Sequence, residues 1–151
     1  MKKIRIGCGS GGCSYERLEP AIELVEKGNI DYLIFECLAE RTIAEAQRKK
    51  IDDPEAGYNP MLEERMRIFL PLMKKHGFKI VSNMGAANTP AAIRKILSIA
   101  REEGITGLKI ASVIGDDITK MLPMYADTPL WDSTQPISTL EHITSANVYL
   151  G

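Results

Sequence analysis

Apolar and polar positions along the chain switch between a short strand-like period and a helical one. Residues 3–7 make a β-type run that stops at Gly7-Cys8-Gly9-Ser10-Gly11-Gly12, where the glycines free the backbone to turn. Helical spacing then appears in Leu18, Ala21, Ile22, Leu24 and Val25. Pro20 fits only in the first turn of that helix, and Lys27-Gly28-Asn29 supplies a basic last turn and a stop. Tyr32-Leu33-Ile34-Phe35 is a continuous apolar run, as expected of a parallel strand covered on both faces, with Glu36 and Cys37 at its exit.

Residues 38–50 are rich in strong helix formers, and residues 52–60, with two prolines and a glycine, break the pattern. That break predicts an exposed loop, long enough for a compact α/β unit to be a functional candidate. From 61 to 76 the apolar positions Leu62, Met66, Phe69, Leu70 and Met73 form a stripe, with a kink expected at Pro71 and a cap at Gly77. Residues 78–81 read as a third strand and residues 82–89 as a small-residue loop. A helix opening near Pro90 follows, with Ile93, Ile96, Leu97 and Ala100 as its buried stripe and Gly104 as its stop.

Residues 108–114 read as a fourth strand, ending in Gly115-Asp116-Asp117. Prolines interrupt residues 120–139, an unusually apolar loop that carries Met121, Met124, Tyr125, Leu130 and Trp131. Residues 143–150 read as a fifth strand, immediately before Gly151. Alternating strands and helices predict an α/β fold: a three-layer, Rossmann-like, mostly parallel sheet of about five strands with helices on both faces. A strand left without its covering helix predicts that residues 1–151 are one α/β domain forming the N-terminal portion of something longer. It also predicts a homo-oligomer, or a second subunit that covers the strand.

The 151 residues are 44% hydrophobic and 6% aromatic, so a single aliphatic core suffices without disulfide or metal. Nineteen basic against twenty acidic residues leave a net charge of -1, which gives no footing for nucleic acid or for a polybasic membrane anchor. There is no apolar stretch of membrane-spanning length and no signal-peptide core, so a cytoplasmic location is expected. The spacing of Cys8, Cys13 and Cys37 supplies no standard zinc or iron–sulfur ligand set, so reduced thiols and no metal are expected.

In such sheets ligands bind beyond the carboxyl ends of the strands, and the candidate chemistry gathers there. Gly9, Ser10, Gly11 and Gly12 offer backbone amides that would cradle an anionic group. The run matches G-x-G-x-x-G, but the helix starts several residues too late and Glu36 lies further on than the about 20 residues of a dinucleotide site. A tight turn remains the plain alternative, and no cofactor is indicated. Glu36, partly desolvated at the end of an apolar strand, is expected to have a raised pKa and to act as an acid/base group. The competing assignment is an ion pair with Arg41 or Arg17, or a cap on the next helix. Asn83 and Asn147 supply amides to orient a substrate carbonyl, or else shape their loops. Asp116 and Asp117 suit a helix start better than a metal or acid/base pair, His76 suits a helix C-terminus, and His142 falls at the opposite edge.

Taken together, residues 4–12, residues 31–42 from Asp31-Tyr32-Leu33-Ile34-Phe35-Glu36-Cys37 to Thr42, and Asn83-Met84-Gly85-Ala86-Ala87-Asn88 resemble the acyclic terpene utilisation protein family, AtuA. Ser145-Ala146-Asn147-Val148-Tyr149-Leu150-Gly151 is similar to the family's next block. Residues 13–17 depart from it, with Glu16 where the family typically carries an Asp before Arg. The resemblance implies catabolism of branched isoprenoid acids handled as acyl-CoA thioesters. The substrate expected is therefore a small branched acyl-CoA or carboxylate. Hydratase, lyase or isomerase-type proton transfer would be the chemistry, with a noncatalytic binding or assembly subunit as the alternative.

Overall fold

The computed structural model describes residues 3–11 and 17–149, which divide into two units, residues 1–112 and 113–151. In the first unit the chain runs β1 (Ile6–Gly11), α1 (Glu19–Lys27), β2 (Tyr32–Glu36), α2 (Glu40–Asp52), α3 (Leu62–His76), β3 (Lys79–Ser82) and α4 (Thr89–Glu102). The strands form one parallel sheet in the order β1-β2-β3.

Each helix starts and stops for a local reason. Pro20 occupies the first turn of α1, and Gly28 closes it by donating to the Leu24 carbonyl. A Cβ at Gly28 would collide with that same oxygen, so only glycine fits there. At the start of α2 the Thr42 hydroxyl accepts the Ala39 N–H. Helix α3 runs on through Pro71 and ends at Gly77, whose φ of 79° puts it in the left-handed region that caps helices. Asn88 caps α4 by accepting the Ala91 N–H, and its Nδ2 donates to the carbonyls of Pro54 and Ala56. Loop 53–60 is thereby tied down, and it is further joined to the β3–α4 turn by Asn59 N–H to Met84 O and Ala87 N–H to Gly57 O.

The register sets the two sheet faces. Leu33 and Phe35 of β2, both fully buried, point into a core with Val25 of α1, Phe69 of α3 and Ile99 of α4. On the opposite face Ile6, Tyr32 and Lys79 lie in one row and Cys8, Ile34 and Val81 in the next. That face stays open: Ile6 is 61% and Val81 50% exposed. In the first unit the helices therefore cover one face of the sheet, where helices on both faces were expected. The continuous apolar run of β2 misled because Tyr32 and Ile34 are only half-buried.

The described residues contain three strands where five were expected. Residues 108–114 carry no sheet pairing, and Val113 and Ile114 are strongly exposed. Residues 143–149 pair only through an isolated antiparallel bridge, Asp117 to Asn147. Otherwise the second unit holds two 3₁₀ helices, Thr119–Tyr125 and Ile137–Thr139, and a bridge between Pro129 and Pro136. None of its described residues is buried, so a strand there has no packed face to define it. Trp131 is fully exposed.

Candidate functional site

The carboxyl ends of β1, β2 and β3 bring Ser10, Glu36, Cys37, Ser82 and Asn83 together through a chain of hydrogen bonds. The Ser82 hydroxyl donates to Phe35 O at 2.9 Å and accepts from Met84 N, which turns the chain sharply after β3. That turn holds Asn83 beside the end of β2. Asn83 Oδ1 accepts the Cys37 N–H at 2.8 Å, and its Nδ2 donates to Glu36 Oε1 at 3.1 Å. Glu36 Oε1 also accepts the Leu38 N–H at 3.0 Å.

These two donors, the Leu38 amide first and Asn83 second, hold the Glu36 carboxyl below the ordinary glutamate range, outweighing a small contribution from burial. The raised pKa expected from the sequence is thus reversed. The end of an apolar strand here is exposed, and two hydrogen bonds favour the charged form. Glu36 is an ionised acceptor, with Oε2 taking no bond from the described residues. The ion pairs weighed against it do not form, since Arg17 pairs with Glu19 and Arg41 with Glu45.

The glycine run is arranged differently from the turn foreseen in it. Strand β1 extends through Gly7, Gly9 and Gly11, with a bulge between Cys8 and Ser10. A Cβ at Gly9 would come 2.6 Å from the Phe35 ring, so glycine at that position is demanded by core packing. Ser10 is buried, its hydroxyl donating to Glu36 O at 2.8 Å. Gly12 and Cys13 lie outside the described residues.

In the turn that carries Asn83, Ala86 adopts a φ of 44°, a left-handed conformation that costs a non-glycine residue about 1–2 kcal/mol. Gly85 beside it has no room for a side chain, because a Cβ would stand 2.7 Å from Thr89 Oγ1. Asn147 is not brought to this edge within the first unit. It belongs to the second, where its Nδ2 donates to Asp116 Oδ2 at 2.9 Å. Asp117 accepts the Thr119 N–H at the start of a 3₁₀ helix, the helix-start role read from its position. His76 closes the basic last turn of α3.

Sequence reasoning missed Arg65, which is fully buried under this edge with Nη1 donating to Cys37 Sγ. The signal was present: Arg65 lies three residues after Leu62 and four before Phe69, on the apolar stripe of α3. Among the described residues no group of three His, Cys, Asp or Glu side chains could hold a metal ion, and no helix is long and apolar enough to cross a membrane.

No curated protein and no solved structure matches the chain. The family described as acyclic terpene utilisation family protein AtuA matches residues 4–151, taking in β1, the Glu36 exit, the Asn83 turn and the second unit. With essentially the whole length matched, the chain belongs to the acyclic terpene utilisation family AtuA.

Proposed function

We propose that the chain is the catalytic part of a catabolic enzyme acting on a branched acyl-CoA or carboxylate substrate, by proton transfer next to a carbonyl. The observation that carries this is a carboxylate held through Oε1 by an amide donor on the neighbouring strand exit, Asn83 Nδ2, while its Oε2 takes no bond from the described residues. One of the two Asn83 amide hydrogens serves Glu36, and the other can donate to a substrate carbonyl while Glu36 takes the proton. In this reading Gly9 to Gly12 hold the anionic end of the substrate. Family membership supports a role in acyclic terpene utilisation, for which branched acyl groups are the matching chemistry.

A second reading rests on the open sheet face. An open sheet face on which Ile6 and Val81 stand exposed in successive rows fits a binding or assembly subunit whose sheet is covered by a second copy or another chain. Native mass spectrometry of the purified chain with a panel of straight and branched acyl-CoA thioesters tests both. A one-to-one complex with branched thioesters, absent for CoA alone, is the expected result. A higher assembly that binds none of the panel favours the second reading.

The lowered Glu36 pKa gives a signed prediction. The carboxylate is needed ionised, so its contribution is present above the ordinary glutamate value and is lost as pH falls through the folded-state value, which lies lower. The acid limb of kcat/KM is expected below the ordinary value of about 4.3. In Asn83→Ala, where Glu36 loses one of its two donors, the limb should move up toward it. An acid limb unchanged by the substitution counts against Asn83 as the tuning group.

A further inference from the structure

Each of the two units presents an apolar surface to water. Parallel sheets are normally covered on both faces, yet on the face opposite the helices Ile6, Cys8 and Val81 are exposed, in two rows whose only charged side chain is Lys79. In the second unit residues 126–138 form a tight hairpin. Leu130 N–H donates to Gln135 O at 2.9 Å, Ile137 N–H to Thr128 O at 2.9 Å and Ser138 N–H to Ala126 O at 3.0 Å. Ser133 N–H closes the tip on Leu130 O at 3.3 Å, which puts Trp131 at the turn. Trp131 is fully exposed, and Met124, nearby in sequence, is 76% exposed. An indole held out on a braced turn has the form of an interface anchor, because little conformational freedom is left for it to lose on docking.

We propose that the Trp131 hairpin of one chain docks on the open sheet face of a second copy, and that the exchange is reciprocal, giving a two-fold dimer. Charge favours a second copy as the occupant. Residues 1–112 hold 18 basic against 15 acidic side chains and residues 113–151 one against five, so the second unit of one copy is drawn to the first unit of another. Locally, Asp127 and Asp132 are exposed on either side of Trp131, and Lys79 borders the apolar rows of the sheet. The same two acids oppose a surface of anionic lipid headgroups. Area favours exchange over packing face on face. With three strands about 4.8 Å apart and about four residues of about 3.3 Å each, the face offers roughly 200 Å². A stable contact takes about 800 Å² from each partner. Reciprocal exchange adds the hairpin to the contact and makes that contact twice. The proposal rests on the open face of the second reading and names its occupant; it draws on neither Glu36 nor Asn83.

Trp131 is the only tryptophan in the sequence, so indole fluorescence reports this one position. Sedimentation of the 151-residue chain over a concentration series is expected to show a monomer–dimer equilibrium, with the emission moving to shorter wavelength as the dimer forms. Trp131→Ala and Val81→Asp each remove one side of both contacts and should weaken dimerisation about 30-fold or more, the effect of losing an interface anchor. Their equimolar mixture should regain a dimer, because the intact sheet face of one meets the intact hairpin of the other. Both replaced side chains are exposed, so circular dichroism should show the folds unchanged. A dimer that keeps long-wavelength emission, a dimer indifferent to either substitution, or a mixture that regains nothing overturns the proposal. A monomer at every concentration overturns it as well; with long-wavelength emission, that result leaves the second reading standing with a different protein as the cover. Should a variant fail to fold, the wild-type emission against concentration decides alone.

Discussion

Glu36→Gln is expected to lower turnover by about 10²–10⁴-fold, the usual contribution of a positioned acid/base group, with substrate affinity nearly unchanged. The amide keeps the shape of the side chain, and its oxygen can still accept from Leu38 N–H and Asn83 Nδ2, the two bonds that fix Glu36. It cannot take up a proton. The acyl-CoA thioester identified by mass spectrometry serves as substrate in single-turnover measurements, which separate binding from chemistry. Normal turnover by a folded Glu36→Gln protein would remove Glu36 from the mechanism and leave it as a brace for the strand exit. The folded state is checked by circular dichroism, since the wild-type carboxylate is exposed and its replacement opens no cavity.

Phe35→Ala is expected to destabilise the first unit by about 3–5 kcal/mol, a large share of the about 5–15 kcal/mol that holds a domain together. Phe35 is fully buried at the centre of the sheet, edge-on to Phe69 with ring centroids 4.9 Å apart, and its face lies under Arg65. Truncation removes the ring against which Gly9 is fitted and uncovers the guanidinium on one more side. Urea unfolding should show a lower midpoint with little change in slope. Phe69→Ala should cost a similar amount, and the double variant less than the sum, because each ring is the other's partner. A loss under about 1 kcal/mol would mean that the strand-two core is not packed as described.

How much of this was legible in the sequence depends on whether a segment carries its own partner. Helices α1, α3 and α4 were read nearly to their ends, because Pro20, Gly77 and Pro90 act locally. Strand β2 was read to within a residue of its end. Strand β1 was expected over 3–7 and instead spans Ile6–Gly11, since parallel pairing needs only backbone and the glycines make room for Phe35. Residues 108–114 and 143–150 have the composition of strands, but a strand exists only against another, and neither finds a parallel neighbour among the described residues. At the site, Glu36 and Asn83 were named, and they do meet. Their electrostatics were misjudged because amides brought in from Leu38 and from a strand distant in sequence set the carboxyl's state. Arg65 was overlooked because a cation on an apolar stripe is discounted by residue type.

Loop 53–60 looks, by length and composition, like a lid for the strand exits. A lid has to swing without melting its hinges, and the cross-ties described above deny it that freedom. Asn88 holds the Pro54 and Ala56 carbonyls, Gly57 O accepts from Ala87, and Asn59 reaches both Met84 O and, at 3.3 Å, Cys37 O. At about 1 kcal/mol for each bond, lifting the loop costs several kcal/mol and uncaps α4 in the same movement. Loop 53–60 is therefore a fixed wall beside Cys37, and it does not gate the Glu36 edge.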